Sequence, residues 1–149
     1  MQEEKIYARI RKSSKYYWQK RNAVEQGDYP FRVTILENYG DEYVVKGGPG
    51  GKYRLSDVDL FVVRDDDFVC ISEPEGPMMV QLKAIVQKSS PYFSDNQFAA
   101  ENPSYGIPFP VCIDPDAEGR FVVVGGPRPY RLEDVALFVQ NVKVSLNVN

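Results

Sequence analysis

Tyr53-Arg54-Leu55-Ser56-Asp57-Val58-Asp59-Leu60-Phe61-Val62 recurs as Tyr130-Arg131-Leu132-Glu133-Asp134-Val135-Ala136-Leu137-Phe138-Val139, with eight of ten positions identical. Each copy follows Gly-Gly-Pro, at Gly47-Gly48-Pro49 and Gly125-Gly126-Pro127. A repeat of this kind marks one structural module used twice, and it sets the architecture before any single residue is read. In a chain of 149 residues it predicts two small modules, 1–64 and 78–149, joined by an acidic linker over 65–77. A module of that size buries only a modest core, so its stability alone is thin.

Within the decapeptide, Leu55, Val58, Leu60 and Val62 are core candidates. Ser56-Asp57-Val58 interrupts the strand alternation. Asp57 and Asp134 are suited to accept backbone N–H groups and cap a one-turn break there. Arg54 and Arg131 lie between apolar strand positions and should face outward. Two uses are open to them: an ion pair with Asp57 or Asp134, or contact with phosphate. Gly-Gly-Pro lacks the Lys-Ser/Thr ending of a phosphate-binding loop and opens no helix, so it reads as a hairpin loop that needs positive φ. Lys46 and Lys52 flank it in the first copy and Arg128 sits in it in the second, so the loop still presents charge to a polyanion.

Upstream, Lys5 to Arg11 alternates apolar and polar and predicts a half-buried strand. Ser13 to Pro30 has no clean period and reads as a long loop with room for one helical turn. Phe31, Val33 and Ile35 mark a second strand, Asn38 to Asp41 a turn, Glu42 to Lys46 a third strand, Lys52 to Leu55 a fourth and Leu60 to Val63 a fifth. The second copy repeats this order: Val80 to Val86, then Phe109, Val111 and Ile113, a turn at Asp116 to Gly119, then Phe121 to Val124, Tyr130 to Leu132 and Leu137 to Val139. Phe68 to Ile71, inside the linker, is apolar enough to add an edge strand or lie across the junction. Val142 to Val148 alternates and is also able to join a sheet.

Composition narrows the chemistry. The chain has no histidine, the commonest general base and metal ligand. No carboxylate pair, Ser/Lys or Cys pattern forms a catalytic constellation, so neither an enzyme nor a cofactor is expected. Cys70 and Cys112 occupy non-equivalent places in the two copies, which argues against a repeated disulfide or metal framework and fits a reducing cytoplasm. Asp65-Asp66-Asp67 in an extended segment would diverge rather than converge on a metal, and reads as solvated linker. Met1 to Glu4 is polar and unlike a secretory signal. No apolar run approaches the roughly 20 residues of a membrane helix.

Charge is uneven. The net charge is −3, yet residues 1–64 hold 12 Lys/Arg against 9 Asp/Glu, whereas 65–77 hold five acids and no base. Between Lys5 and Val24 come Arg9, Arg11, Lys12, Lys15, Lys20 and Arg21 with no acid, interleaved with Tyr7, Tyr16, Tyr17 and Trp18. Cations for phosphates and flat rings for bases are the elements of nucleic-acid binding. A solvated strand face with loop aromatics folded onto the core is the plainer alternative. The second copy keeps only Lys88, Tyr92 and Phe93 of this stretch.

Five short strands, a long first loop, tight later turns and a one-turn break between strands four and five resemble an SH3-like barrel, here twice in tandem. The hairpins around Gly40 and Gly119 are similar to the KOW class of such barrels and, among tandem forms, to the MotB-like phage transcription modifiers. That resemblance implies an all-β fold of two five-stranded barrels. It also implies DNA or RNA, or a transcription or nucleoid protein, as partner. Together these readings predict a non-catalytic binder of duplex DNA through phosphate contacts. The expected interface comprises Arg9, Arg11, Lys12, Lys15, Tyr16, Tyr17, Trp18, Lys20, Arg21, Lys46, Lys52, Arg54, Lys88, Tyr92, Arg128 and Arg131. Two alternatives stand beside it: docking of a protein through the aromatic first loop, and capture of a small phosphorylated ligand between the barrels. The sequence pI of about 5.1 counts against a generally basic surface, so the duplex reading needs a local patch.

Overall fold

A computed structural model of the chain describes residues 5–39, 42–73, 82–117, 119–140 and 142–144. Among the described residues the fold is all-β in its sheets, with two short α-helices. The first sheet contains β1 (Ile6–Ile10), β2 (Phe31–Tyr39), β3 (Glu42–Gly47), β4 (Lys52–Arg54), β5 (Val58–Arg64) and β6 (Asp67–Cys70), in the order β4-β3-β2-β1-β5-β6. The second contains β7 (Leu82–Val86), β8 (Phe109–Ile113), β9 (Val123–Val124), β10 (Val135–Val139) and β11 (Val142–Val144), in the order β11-β10-β7-β8-β9. Every pairing between strands is antiparallel. Tyr130 extends the second sheet by a bridge to Val123, where a full fourth strand was expected.

The decapeptide performs the same local task in both halves. In the first half its opening residues end β4, and in the second Tyr130 forms the bridge to Val123; a 3₁₀ turn follows at Leu55–Asp57 and Leu132–Asp134, and the chain then enters β5 or β10. The Asp57 carboxylate accepts the Arg54 N–H at 3.1 Å, and Asp134 accepts the Arg131 N–H at the same distance, which caps the turn. Each carboxylate also ties down the long loop: Ser14 donates to Asp57 at 2.9 Å, and Ser90 donates to Asp134. Leu55, Val58, Leu60 and Val62 are all buried, as the alternation requires.

The two positions at which the copies differ are both occupied structurally. Asp59, in place of Ala136, lies 3.4 Å from the Arg11 guanidinium. Glu133, in place of Ser56, accepts a hydrogen bond from the Tyr43 hydroxyl of the first half. The Tyr43 oxygen in turn accepts the buried Leu132 N–H at 3.0 Å. Burial, followed by the bond to Glu133, raises the Tyr43 pKa, so the hydroxyl stays a donor. Side chains of the two sheets therefore meet, and their buried residues form one core.

The acidic segment is structured over residues 65–73. Asp65 and Asp66 both have positive φ, 52° and 66°, and form the two-residue turn of a tight hairpin between β5 and β6. Phe68 to Cys70 is the edge strand, and the chain continues across the junction, where Ser72 bridges Ile113 in parallel and Glu73 donates to the Ile113 carbonyl at 2.7 Å. Both roles open to this segment are thus filled. Residues 74–77, Val80, the turn residues Gly40 and Asp41, and the tail beyond Val144 lie outside the described residues.

The long loops hold more helix than their periodicity indicates: a 3₁₀ turn at Tyr17–Gln19 leads into α1 (Lys20–Glu25), and α2 (Asp95–Glu101) occupies the matching place in the second half. After each helix a cis peptide, Tyr29–Pro30 or Ile107–Pro108, leads into β2 or β8.

Candidate nucleic-acid interface

β1 ends where the long loop begins, and α1 folds back beside it. This brings Arg9, Arg11, Lys12, Tyr17 and Lys20 to one cleft of about 370 Å³, with Ile10, Tyr29 and Asp59 completing the wall. The Tyr29 hydroxyl accepts the Ile10 N–H at 3.0 Å, which pins the loop to β1. Burial raises the Tyr29 pKa, so this ring brings no negative charge to the cleft. Lys20 lies over two rings, 5.4 Å from Tyr17 and 5.6 Å from Tyr29, and its ammonium is 3.4 Å from the Tyr17 hydroxyl. Arg11 is largely consumed: its guanidinium is nearly buried, 3.4 Å from Asp59 and 3.9 Å from Asp116 of the second half. Of the expected cleft cations, Arg9 and Lys12 are the exposed ones.

Other expected residues divide between the rim and a second face. Lys15 is exposed above the Tyr16 ring, and Tyr16 packs edge-on against Tyr53, so it is a core-side residue more than a ligand-facing one. Trp18 is 67% exposed. Arg21 pairs with Glu25 at 3.2 Å across one turn of α1, an exposed pair that contributes little to stability. Lys46 and Lys52 are cross-strand neighbours on the outward face of the first sheet, beside Thr34. Arg54 is exposed and has no ion pair among the described residues.

The second half arranges its cations differently. Arg128 bonds to the Asp95 carboxylate at 2.6 and 3.2 Å while lying 4.5 Å from the Tyr92 ring centroid. Tyr130 donates to the same carboxylate at 2.8 Å. Arg131 pairs with Asp134 at 3.3 Å. These two arginines are each neutralised by a carboxylate, and Lys88 is exposed. The corresponding core of the first half is uncharged: Tyr53 donates to the Gln19 side-chain oxygen at 2.5 Å. The charge asymmetry of the sequence is therefore an asymmetry of pairing as well as of number.

Arg32 was missed. It is exposed on β2, directly across from Tyr7 of β1 and on the same outward face as Arg9. Its alternation with Phe31 and Val33 was the available signal. A groove of about 170 Å³ does lie between the halves, but its lining holds Glu42 and Asp116 against the single guanidinium of Arg54. That balance opposes a phosphorylated ligand. Comparison with protein-family models, with curated proteins and with solved structures finds no match to this chain.

Proposed function

We propose that the chain is a non-catalytic nucleic-acid-binding protein that grips the phosphates of duplex DNA with its first half, on a scaffold of two tandem SH3-like barrels. The observation that carries this reading is the gathering of Arg9, Lys12, Lys20 and Tyr17 at one cleft, with no acid in the described lining except the Asp59 already paired to Arg11. The barrel reading draws on the strand order. β5-β1-β2-β3-β4 in the first half is repeated as β10-β7-β8-β9 with the Tyr130 bridge, and a 3₁₀ turn precedes the last strand each time. Phosphate contacts position a protein on DNA without reading its sequence. α1 and α2, of six and seven residues, give little reach into a major groove, so weak sequence preference is expected.

Fluorescence anisotropy with labelled duplex DNA tests the proposal. At about 50 mM salt the protein binds, and substituting Lys12, Lys15, Lys20 and Arg21 together by Gln removes most of the affinity without unfolding the chain. Unchanged affinity in that variant moves the interface elsewhere. A second reading, docking of a transcription or nucleoid protein through the first loop, draws on Trp18, because exposed tryptophans anchor protein interfaces out of proportion to their number.

A further inference from the structure

The outward face of β1, β5 and β6 carries an aromatic row that belongs to neither the core nor the cleft. Tyr7 is directly opposite Phe61 across the strands, and Phe68 on β6 meets Tyr7 edge-on with ring centroids 5.3 Å apart. Phe61 is buried beneath this pair, whereas Phe68 is 43% exposed at the edge of the sheet. Three exposed cations border the row: Lys5, Arg9, whose guanidinium is 5.0 Å from the Phe61 centroid, and Arg32 opposite Tyr7. None of the three has a carboxylate partner among the described residues. Asp59, opposite Arg9 across β1 and β5, is held by Arg11, and Asp65 to Asp67 sit at the hairpin turn immediately before Phe68.

We infer that this face is a stacking platform for unpaired bases of a single strand. The inference rests on the nucleic-acid reading above and adds to it a second surface with a different ligand class. An exposed ring beside a half-buried one at a sheet edge, bordered by cations, suits a single strand, because every base has a face to stack and every linkage a phosphate to neutralise. A duplex hides its bases and gains nothing from Phe68. The acidic hairpin turn sets the direction: the strand's phosphates run away from it, across β1 toward Arg32.

The test compares a labelled oligothymidylate with a labelled duplex, both on the full chain. Phe68→Ala lowers oligothymidylate affinity about tenfold and leaves duplex affinity unchanged. Because Phe68 is an exposed edge residue, the variant folds, which circular dichroism checks. In a Trp18→Phe background, Phe68→Trp places a reporter on the platform, and its fluorescence is quenched by oligothymidylate. Full oligothymidylate affinity in Phe68→Ala, with duplex binding intact, overturns this inference and leaves the proposed function standing. Absence of binding to either probe overturns both.

Discussion

Asp134 shows how one side chain can hold a module together. It accepts the Arg131 amide at 3.1 Å, the Arg131 guanidinium at 3.3 Å and the Ser90 hydroxyl, and it is 2% exposed. Burial alone would raise its pKa, but the bonds from Arg131 and Ser90 outweigh burial and hold it below the ordinary carboxylate value. The sign follows from linkage: a carboxyl lowered in the folded state stabilises above its unfolded pKa, and that stability is lost as pH falls through the folded value. Asp134→Asn is therefore expected to cost about 1–3 kcal/mol at neutral pH, and to flatten the loss of stability below about pH 4. Urea unfolding at several pH values checks both. The capping role was legible because a short acid at a strand break has few other uses. The Ser90 tether was not, since the two residues are far apart in sequence. Gly-Gly-Pro was half legible: Gly47, Gly48 and Gly125 do have positive φ, at 141°, 75° and 106°. Gly126 does not, and is required for another reason: a Cβ there would lie 2.6 Å from the Phe109 ring, as one at Gly48 would lie 2.5 Å from Phe31.

Among the elements, strands with strict alternation were readable because one face is buried and a slip of one residue would expose the core. β1, β2 and β10 follow that rule. The expected strand at Phe121 to Val124 shortens to Val123–Val124, leaving Phe121 exposed. A helical turn was expected in the first loop; the full extent of α1, and α2 altogether, escaped because six or seven residues span fewer than two turns, too few to show a period. The acidic run escaped for another reason. Composition alone reads Asp65-Asp66-Asp67 as solvated linker, whereas aspartate tolerates the left-handed region better than most residues and so serves a tight hairpin. Glycine adopts that conformation without strain. Asp66→Gly is expected to stabilise the chain by about 0.5–1 kcal/mol, read as a higher thermal midpoint. A lower midpoint would mean that the carboxylate has a partner of its own.

For the whole molecule, the repeat's two unlike positions matter more than its eight identical ones. Glu133 receives Tyr43 from the first half, and Asp59 holds an arginine that also reaches Asp116 of the second. Tyr43→Phe deprives the buried Leu132 N–H of its acceptor, at an expected cost of about 1–3 kcal/mol. Differential scanning calorimetry reads this as a lower midpoint, with the two halves still unfolding together if the rest of the shared core holds them. Roughly half of the candidate interface was legible as a continuous basic stretch. The sequence left the Arg131–Asp134 pair open, and the structure forms it; what the sequence did not reveal is that Arg11 and Arg128 are also committed to carboxylates and that Arg32 is brought in from another strand. The central claim is that the first half binds nucleic acid through its phosphates. The most direct measurement is the dependence of duplex affinity on salt, for the native chain and for Lys12→Gln with Lys20→Gln. The native chain should lose affinity steeply between about 50 and 200 mM salt. The variant should bind more weakly, with its log–log slope reduced by about two. A salt-independent affinity, or a slope unchanged by the two substitutions, would contradict the account.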